Sequence, residues 1–559
     1  MSLASEILAR RMRLPRAQTR EIVCEPDLRA AMDDGAVLLA DRWVARAQRA
    51  RHQPTVLVRS PYGRRQGVGL IFGRLLAERG LQVVIQSVRG TFGSEGTFSP
   101  FDERADGLAT LRWIEEQPWH RGPIGMIGPS YLGLVQWAVG ADAGAELGGL
   151  AIQFSASQFH AQTYAGGSLS LETTASWLVI VAEQERRAAP IAIARTLRRL
   201  PRLLSELPLA DLDELATGGR VDWYRDSMAH PLRDDTFWGV RDYTAGVTKV
   251  TAPVQLVGGW YDIFLPWMLE DFCALQAAGL SVQLIVGPWT HTGPGGASAG
   301  IREGIAWLRA QLLGDSRLVR PAAIRLLVTG ERSGGGWREL ESWPPPDISE
   351  YRLWLGDHGR LEELPPRGVP AVGDRYRYDP SDPTPSLGGP VLLGRRPVVD
   401  NRPLEARSDV LTYTAPALQS PLEAIGPVRV ELFVRAGSPF FDIFARVCDV
   451  DAHGTSWNVC DALARVGANG FEQLRDGSWR VAFDLWPMGH RFAAGHRVRL
   501  QVSSGAHPRY ARNPGNGEDP MTATALRAVD IEILHDEPHP SQLILPRSGD
   551  SGLTRSAGA

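Results

Sequence analysis

Lysine is almost missing from this chain: of its 60 basic residues only Lys249 is not arginine. That bias fits a GC-rich bacterial genome and says little about mechanism. Cysteine is scarce too. Cys24, Cys273, Cys448 and Cys460 are too scattered among 559 residues for a disulfide framework, and none sits at a zinc-ligand spacing. No apolar run approaches the roughly 20 residues that a membrane-spanning helix requires. The opening stretch, MSLASEILARRMRLPRAQTR, has no continuous apolar core of the secretory kind. Neither sign of charge dominates: the formal net charge is -3 and the pI is near 6.5. Bulk attraction to nucleic acid or to an anionic membrane is therefore not expected. Internal repeats and long low-complexity tracts are absent as well. These absences lead to the expectation of a reduced, cytoplasmic protein that binds neither membrane nor nucleic acid.

What is present is a folded, multidomain chain, with 43% hydrophobic and 22% charged residues. The first third alternates short apolar runs with helical patterns. Thr55–Val58, Leu81–Ile85 and Ile124–Ile127 read as buried strands. Between the last two, Leu108, Leu111 and Ile114 mark one face of a helix that Pro118 closes. Strand–helix–strand repetition predicts a parallel sheet covered on both faces. From about Ser155 to Val247 the texture is helical and arginine-rich, an inserted cap, before the strands Val254–Val257 and Leu284–Val286 return. After Trp343-Pro344-Pro345-Pro346, a linker signal, apolar residues alternate with period two. Examples are Val428, Val430, Leu432 and Val434, then Trp479, Val481, Phe483 and Leu485, then Val498, Leu500 and Val502. Turns such as Asp451–Gly454 and Arg475–Gly477 separate them, which predicts an all-β sandwich of jelly-roll type. The expected division is 1–150 and 248–346 for a sheet domain, 151–247 for the cap and 347–559 for the sandwich.

The sharpest chemical signal is Gly128-Pro129-Ser130-Tyr131-Leu132-Gly133, directly after the Ile124–Ile127 strand. Glycines around a serine at a strand-to-helix turn permit an elbow that presents the hydroxyl. The match to G-x-S-x-G is not strict, because the second glycine comes one place late, at Gly133. Pro129 is a further departure; it fixes its own φ and pushes Gly128 toward an extended form, both compatible with a strand end. Taken alone the segment is equally an ordinary glycine-rich turn. A serine hydroxyl is a poor nucleophile unless an imidazole takes its proton and a carboxylate orients that imidazole. Asp262, in Gly258-Gly259-Trp260-Tyr261-Asp262, and His291, in Gly287-Pro288-Trp289-Thr290-His291, follow the next two strands in the order such a set requires. Either residue alone reads as a turn carboxylate or a surface histidine; three in the right order and context are harder to obtain by chance. The backbone N–H of Tyr131 is one candidate oxyanion donor. Tyr62, in Arg59-Ser60-Pro61-Tyr62-Gly63, lies where a second donor belongs, though the residues alone favour an ordinary core or surface tyrosine.

These segments together resemble the cocaine esterase and X-prolyl dipeptidyl-peptidase family, relatives of α-amino-acid ester hydrolases and glutaryl cephalosporin acylases. The likeness extends through Val88–Gly96 and Gln117-Pro118-Trp119. In the C-terminal region it includes Tyr376–Pro380, Asp400–Glu405, Val447–Val450 and Ala494–Arg497. It spans nearly the whole chain apart from the N-terminal stretch and much of the cap. It implies an α/β-hydrolase domain with an inserted helical cap, followed by a C-terminal jelly roll. It also implies that Ser130 is the nucleophile, His291 the general base and acid, and Asp262 its orienting partner. The Tyr62 hydroxyl and the Tyr131 N–H would then form the oxyanion hole.

Other features carry less. Arg89 and Glu95 are expected to form an ion pair bracing a glycine loop. His535 and His539 are four apart, but Asp536-Glu537-Pro538 between them argues against a helical metal pair. Trp177, Trp223, Tyr224 and Trp238 are candidates for an acyl pocket, with core packing the plainer alternative. The expected activity is cofactor-free and metal-free serine hydrolysis of a small ester, amide or short peptide, with a homo-oligomer left open. The alternatives are removal of Xaa-Pro dipeptides, α-amino-acyl hydrolysis, acyl transfer, or a silent binding protein on the same scaffold. Recognition of a substrate ammonium needs a carboxylate, and Glu172, Glu183, Glu185, Asp211 and Asp213 in the cap are the candidates.

Overall fold

The computed structural model describes residues 3–330, 336–368, 373–394, 396–467, 470–549 and 554–555. The chain divides into two compact units. One holds Met1–His160, Val181–Ala189 and Asp222–Ile324; the other holds Ala161–Ile180, Pro190–Val221 and Arg325–Ala559.

The first unit is built on eight strands: β1 (Ile22–Ala31), β2 (Val37–Ala45), β3 (Gln53–Ser60), β4 (Gln82–Ser87), β5 (His120–Pro129), β6 (Leu147–Gln153), β7 (Val254–Tyr261) and β8 (Val282–Thr290). Their spatial order is β1-β2-β4-β3-β5-β6-β7-β8. β1 runs antiparallel to β2 and β2 antiparallel to β4, while every later pairing is parallel. The central strands β4 and β7 are buried end to end and rich in apolar residues, as parallel strands covered on both faces must be. Helices Arg104–Glu115, Tyr131–Gly140, Leu265–Ala277 and Pro294–Leu313 connect and cover them. This strand order with these crossovers is the α/β-hydrolase fold. Parallel strands place their connecting loops at one edge, so everything that follows β3, β5, β7 and β8 gathers there.

The second unit is rich in antiparallel strands. Leu422–Ala436 pairs along its length with Trp479–Phe492, and Asp442–Val450 lies between Ser456–Arg465 and Arg497–Ser503. Val428, Val430, Leu432 and Val434 are fully buried, as the period-two pattern predicts. The polar motif residues of this region are spent on its own interior. Arg446 bonds Asp461 at 2.8 Å and Asn401 at 2.7 Å, Arg499 bonds Glu405 at 2.5 Å, and Asp449 takes His496 at 2.8 Å and His490 at 3.1 Å.

Two boundaries differ from expectation. The break placed at 150 falls inside β6, so helical structure starts only after Gln153. The C-terminal part of the second unit begins at Arg325, well before the proline-rich stretch, because Ile324–Gly330 is a strand whose Thr329 and Gly330 pair with His490 and Arg491. The segment 151–247 also does not form one body, since its pieces are shared between the two units.

Candidate active site

β5 ends at Pro129, and the Ser130 N–H donates to the Gln153 carbonyl at the end of β6, at 2.9 Å. Proline is tolerated at this strand end because Ser130, not Pro129, supplies the N–H. Ser130 has φ 58° and ψ -124°. A non-glycine residue in that region carries about 1–3 kcal/mol of strain. This is the elbow geometry that lifts a serine hydroxyl clear of its turn. The helix Tyr131–Gly140 begins at the next residue, so the positive end of its dipole lies beside Ser130.

β7 and β8 are neighbours, and their ends approach more closely than side chains would allow. A β-carbon at Gly259 would fall onto the Trp289 carbonyl oxygen. That approach brings Asp262, just past β7, against His291, just past β8. His291 Nδ1 and Asp262 Oδ1 are 2.6 Å apart. Asp262 is fully buried and also accepts the Phe264 N–H at 3.3 Å. A carboxylate beside Nδ1 keeps the proton on that nitrogen and leaves Nε2 as the acceptor. The imidazole is packed among rings, with Phe264 at 5.5 Å and Phe154 at 6.4 Å between centroids. Phe154 directly follows β6, the strand lying between that of Ser130 and that of Asp262. The histidine therefore sits on the side of the sheet edge that faces the elbow's strand.

Tyr62 follows β3, which pairs with β5 through Leu57 and Met126. It is half-buried, and its loop is held by a bond from the Tyr62 N–H to Ser60 Oγ at 3.0 Å. Gln184 Nε2 donates to the Pro61 carbonyl at 2.9 Å. All four side chains singled out from sequence thus stand on loops at the same edge of one sheet.

Sequence reasoning missed two buried carboxyls in this unit. Glu103 takes the Tyr131 hydroxyl at 2.5 Å and the Arg59 guanidinium at 2.7 Å, and burial raises its pKa. Asp271 accepts both the N–H and the hydroxyl of Ser157, at 2.8 and 2.6 Å, and burial raises its pKa to about 7. Neither carried a signal, since each is one acidic residue in a polar or helical stretch. A row of rings also went unread. Phe264 lies 4.3 Å from Phe159, which lies 5.0 Å from Phe101, which lies 5.6 Å from Tyr131. Phe98 continues the row to Trp223, at 6.3 Å.

One expectation is corrected, and the other residues singled out from sequence take the following places. Arg89 does not pair with Glu95; it bonds Asp106 at 2.6 Å and Asp34 at 2.8 Å, while Glu95 accepts the Val37 N–H at 2.9 Å. Trp177 belongs to a different unit from Trp223, Tyr224 and Trp238, and the last two of these are fully buried. Among the cap carboxylates, Glu183 pairs with Arg186 at 2.9 Å and Asp213 accepts the Val221 N–H at 2.8 Å. Glu172 and Asp211 lie in the second unit, while Glu185 is exposed. His535 pairs with Asp374 at 3.1 Å and His539 with Asp536 at 2.6 Å. Among the described residues no group of three or more His, Cys, Asp or Glu is placed to hold a metal ion, and no helix is long and apolar enough to cross a membrane.

Comparison with known proteins agrees with this architecture. Residues 34–293 match the X-Pro dipeptidyl-peptidase S15 family, and residues 320–544 match the X-Pro dipeptidyl-peptidase C-terminal non-catalytic domain. Cocaine esterase from Rhodococcus sp. (strain MB1 Bresler) is 31% identical over 92% of this chain and 97% of its own. An aminopeptidase structure from a Thaumarchaeota archaeon superposes with a TM-score of 0.79 at 19% identity, covering 96% of this chain and 98% of that one. An α-amino acid ester hydrolase structure gives 0.78 at 20% identity with the same coverage. At such identities these two structures establish the fold. Fold and sequence relatives together define a serine hydrolase. The chain belongs to the cocaine esterase and X-prolyl dipeptidyl-peptidase family of α/β-hydrolases.

Proposed function

We propose that this enzyme cleaves a carboxylic ester through an acyl-enzyme, with Ser130, His291 and Asp262 as its triad. The observation that carries the reading is the 2.6 Å contact between buried Asp262 and His291, at the sheet edge where Ser130 occupies its strained elbow. His291 Nε2 accepts the Ser130 proton as Oγ bonds to the substrate carbonyl carbon. The carbonyl oxygen becomes an oxyanion, held by the Tyr131 N–H and the Tyr62 hydroxyl. Collapse breaks the bond to the leaving alcohol, which takes the proton from His291. Water then repeats the sequence on the acyl-Ser130 ester, releasing the acid and restoring the serine. Asp262 stays ionised throughout and stabilises the imidazolium.

An ester is favoured over an Xaa-Pro peptide or an α-amino-acyl substrate for two reasons. The relative with the greatest identity quoted above is an esterase. The buried cap carboxylates Glu183 and Asp213 are already engaged by Arg186 and the Val221 N–H, which leaves them poorly suited to a substrate ammonium. The C-terminal domain, read as a jelly roll, takes no chemical part.

A fluorophosphonate should label the peptide containing Ser130 with one equivalent. Ser130→Ala should lose roughly 10⁴–10⁶-fold in kcat while folding normally. Rates on p-nitrophenyl esters should exceed those on Xaa-Pro anilides. Near-normal turnover by Ser130→Ala overturns the mechanism, and faster anilide cleavage overturns the ester preference.

A further inference from the structure

The residue after the nucleophile has two separate tasks in this fold. In the mechanism proposed above its peptide N–H serves the oxyanion, while its side chain is buried. In this chain that side chain is a tyrosine whose hydroxyl is fully committed. It donates to Glu103 Oε1 at 2.5 Å and accepts the Phe101 N–H at 3.1 Å. The second Glu103 oxygen takes Arg59 Nη1 at 2.7 Å, and the two side chains are 4% and 0% exposed. Arg59 Nη1 also reaches the Glu103 carbonyl at 3.1 Å, and Arg59 Nε donates to Gln86 at 2.9 Å. A second phenol, that of Tyr243, donates to the Phe101 carbonyl at 2.6 Å and accepts the Glu103 N–H at 3.0 Å. Phe101, held at both its N–H and its carbonyl, has φ 71°, a left-handed backbone that needs such clamping.

Burying an ion pair is a poor way to gain stability, since apolar groups of the same size serve as well or better. What a charged, hydrogen-bonded network does supply is direction. This one starts from both sides of the reaction. Arg59 stands on β3, three residues before Tyr62, and Tyr131 follows Ser130. A single carboxylate therefore ties the strand that leads to one oxyanion donor to the residue that supplies the other.

We propose that Glu103 is a positioning residue of the oxyanion hole, acting through the Tyr131 hydroxyl to fix the direction of the Tyr131 N–H and through Arg59 to hold the base of the Tyr62 loop. The inference rests on the oxyanion hole assigned above. Its consequence is specific. Releasing the phenol leaves substrate binding intact but lets the N–H drift from the line along which charge develops, so the loss appears in the transition state.

The test uses Tyr131→Phe, which deletes one oxygen and keeps the ring and the N–H. Expected are a fall in kcat of about 10–100-fold, a KM within about threefold, and an equal weakening of an aryl trifluoromethyl ketone, which forms a charged adduct with the serine. Competitive inhibition by the product alcohol should not change. Glu103→Gln should act in the same direction. The double variant should be no slower than the slower single variant by more than about threefold, because both act through one contact. If Glu103→Gln does not fold, Tyr131→Phe decides alone. Unchanged kcat and ketone affinity in folded Tyr131→Phe, or equal losses for ketone and product alcohol, overturn the proposal. Fluorophosphonate labelling of the wild type separates the failures: labelling at Ser130 with unaltered Tyr131→Phe kinetics overturns this inference alone, and no labelling at Ser130 overturns both.

Discussion

Replacing Asp262 with asparagine changes one oxygen to nitrogen, and the structure dictates how that amide must settle. The carboxylate serves two donors, His291 Nδ1 at 2.6 Å and the Phe264 N–H at 3.3 Å. The Phe264 N–H is a fixed donor and demands the asparagine oxygen. The amide nitrogen is then left facing His291, where it donates to Nδ1 and moves the ring proton to Nε2. Every group is satisfied, so the fold loses little. The imidazole, however, now presents a donor where it must accept the Ser130 proton. The opposite orientation keeps the right tautomer but sets two donors against each other in a fully buried site, at a cost of about 1–3 kcal/mol. The wrong tautomer should prevail, and kcat should fall by about 10⁴-fold, close to 5.5 kcal/mol of activation free energy. Initial rates on one activated p-nitrophenyl ester measure this, with folding checked by thermal melting. A loss of less than about tenfold in a folded Asp262→Asn protein would refute the role of this contact in setting the tautomer.

Tyr62→Phe should cost about 10²–10³-fold, more in kcat than in KM, because a donor to the oxyanion matters most when charge has developed. A loss under about threefold, with chemistry rate-limiting, would put the second donor elsewhere. Asp271 gives a pH prediction of definite sign. Burial lifts its pKa from the ordinary 3.8 to about 7, so between those values the folded protein holds a proton that the unfolded chain releases. Its contribution to stability is full below about pH 4 and is lost as pH climbs through 7, at no more than about 1.4 kcal/mol per pH unit. Asp271→Asn should therefore flatten the fall in Tm between pH 5 and pH 7.5, and identical Tm profiles for variant and wild type would disprove the assignment.

Most strands of the hydrolase sheet were legible because β3, β4, β5, β7 and β8 carry short, mostly apolar runs between turns. β6 was not, because its sequence opens Leu147-Gly148-Gly149 and glycine hides strand propensity. The reason is tertiary: a β-carbon at Gly148 would lie 2.5 Å from that of Pro123. β1 escaped for another reason. It is an edge strand with Pro26 inside it and a register shift between Glu25 and Leu28, so its alternation is broken where the bulge lies. At the site, the motif residues were readable because each falls just past a strand, whereas Glu103 was not. Its contacts are with Tyr131 and Arg59, which lie 28 and 44 residues away in the chain, and no local pattern encodes them.

The late second glycine of the elbow has an explanation of the same tertiary kind, and it yields a further test. Leu132 stands where the usual pattern has glycine, and its β-carbon occupies the space that a side chain on residue 128 would need. Gly128 therefore accommodates Leu132, and no second glycine is required to face it. The next position has its own constraint. A β-carbon at Gly133 would lie 2.5 Å from that of Ser155 and 3.2 Å from Ile152 Cγ2, so the elbow helix can approach β6 only with glycine there. Gly133→Ala should then destabilise by about 1–3 kcal/mol through overpacking and displace Ser130 with the start of the helix. Removing the other β-carbon relieves the same clash, so adding Ser155→Gly should recover part of both Tm and kcat. If Gly133→Ala is tolerated unaided, or if Ser155→Gly makes the double variant worse by the full sum of the two, the approach of helix to strand is not what places the second glycine.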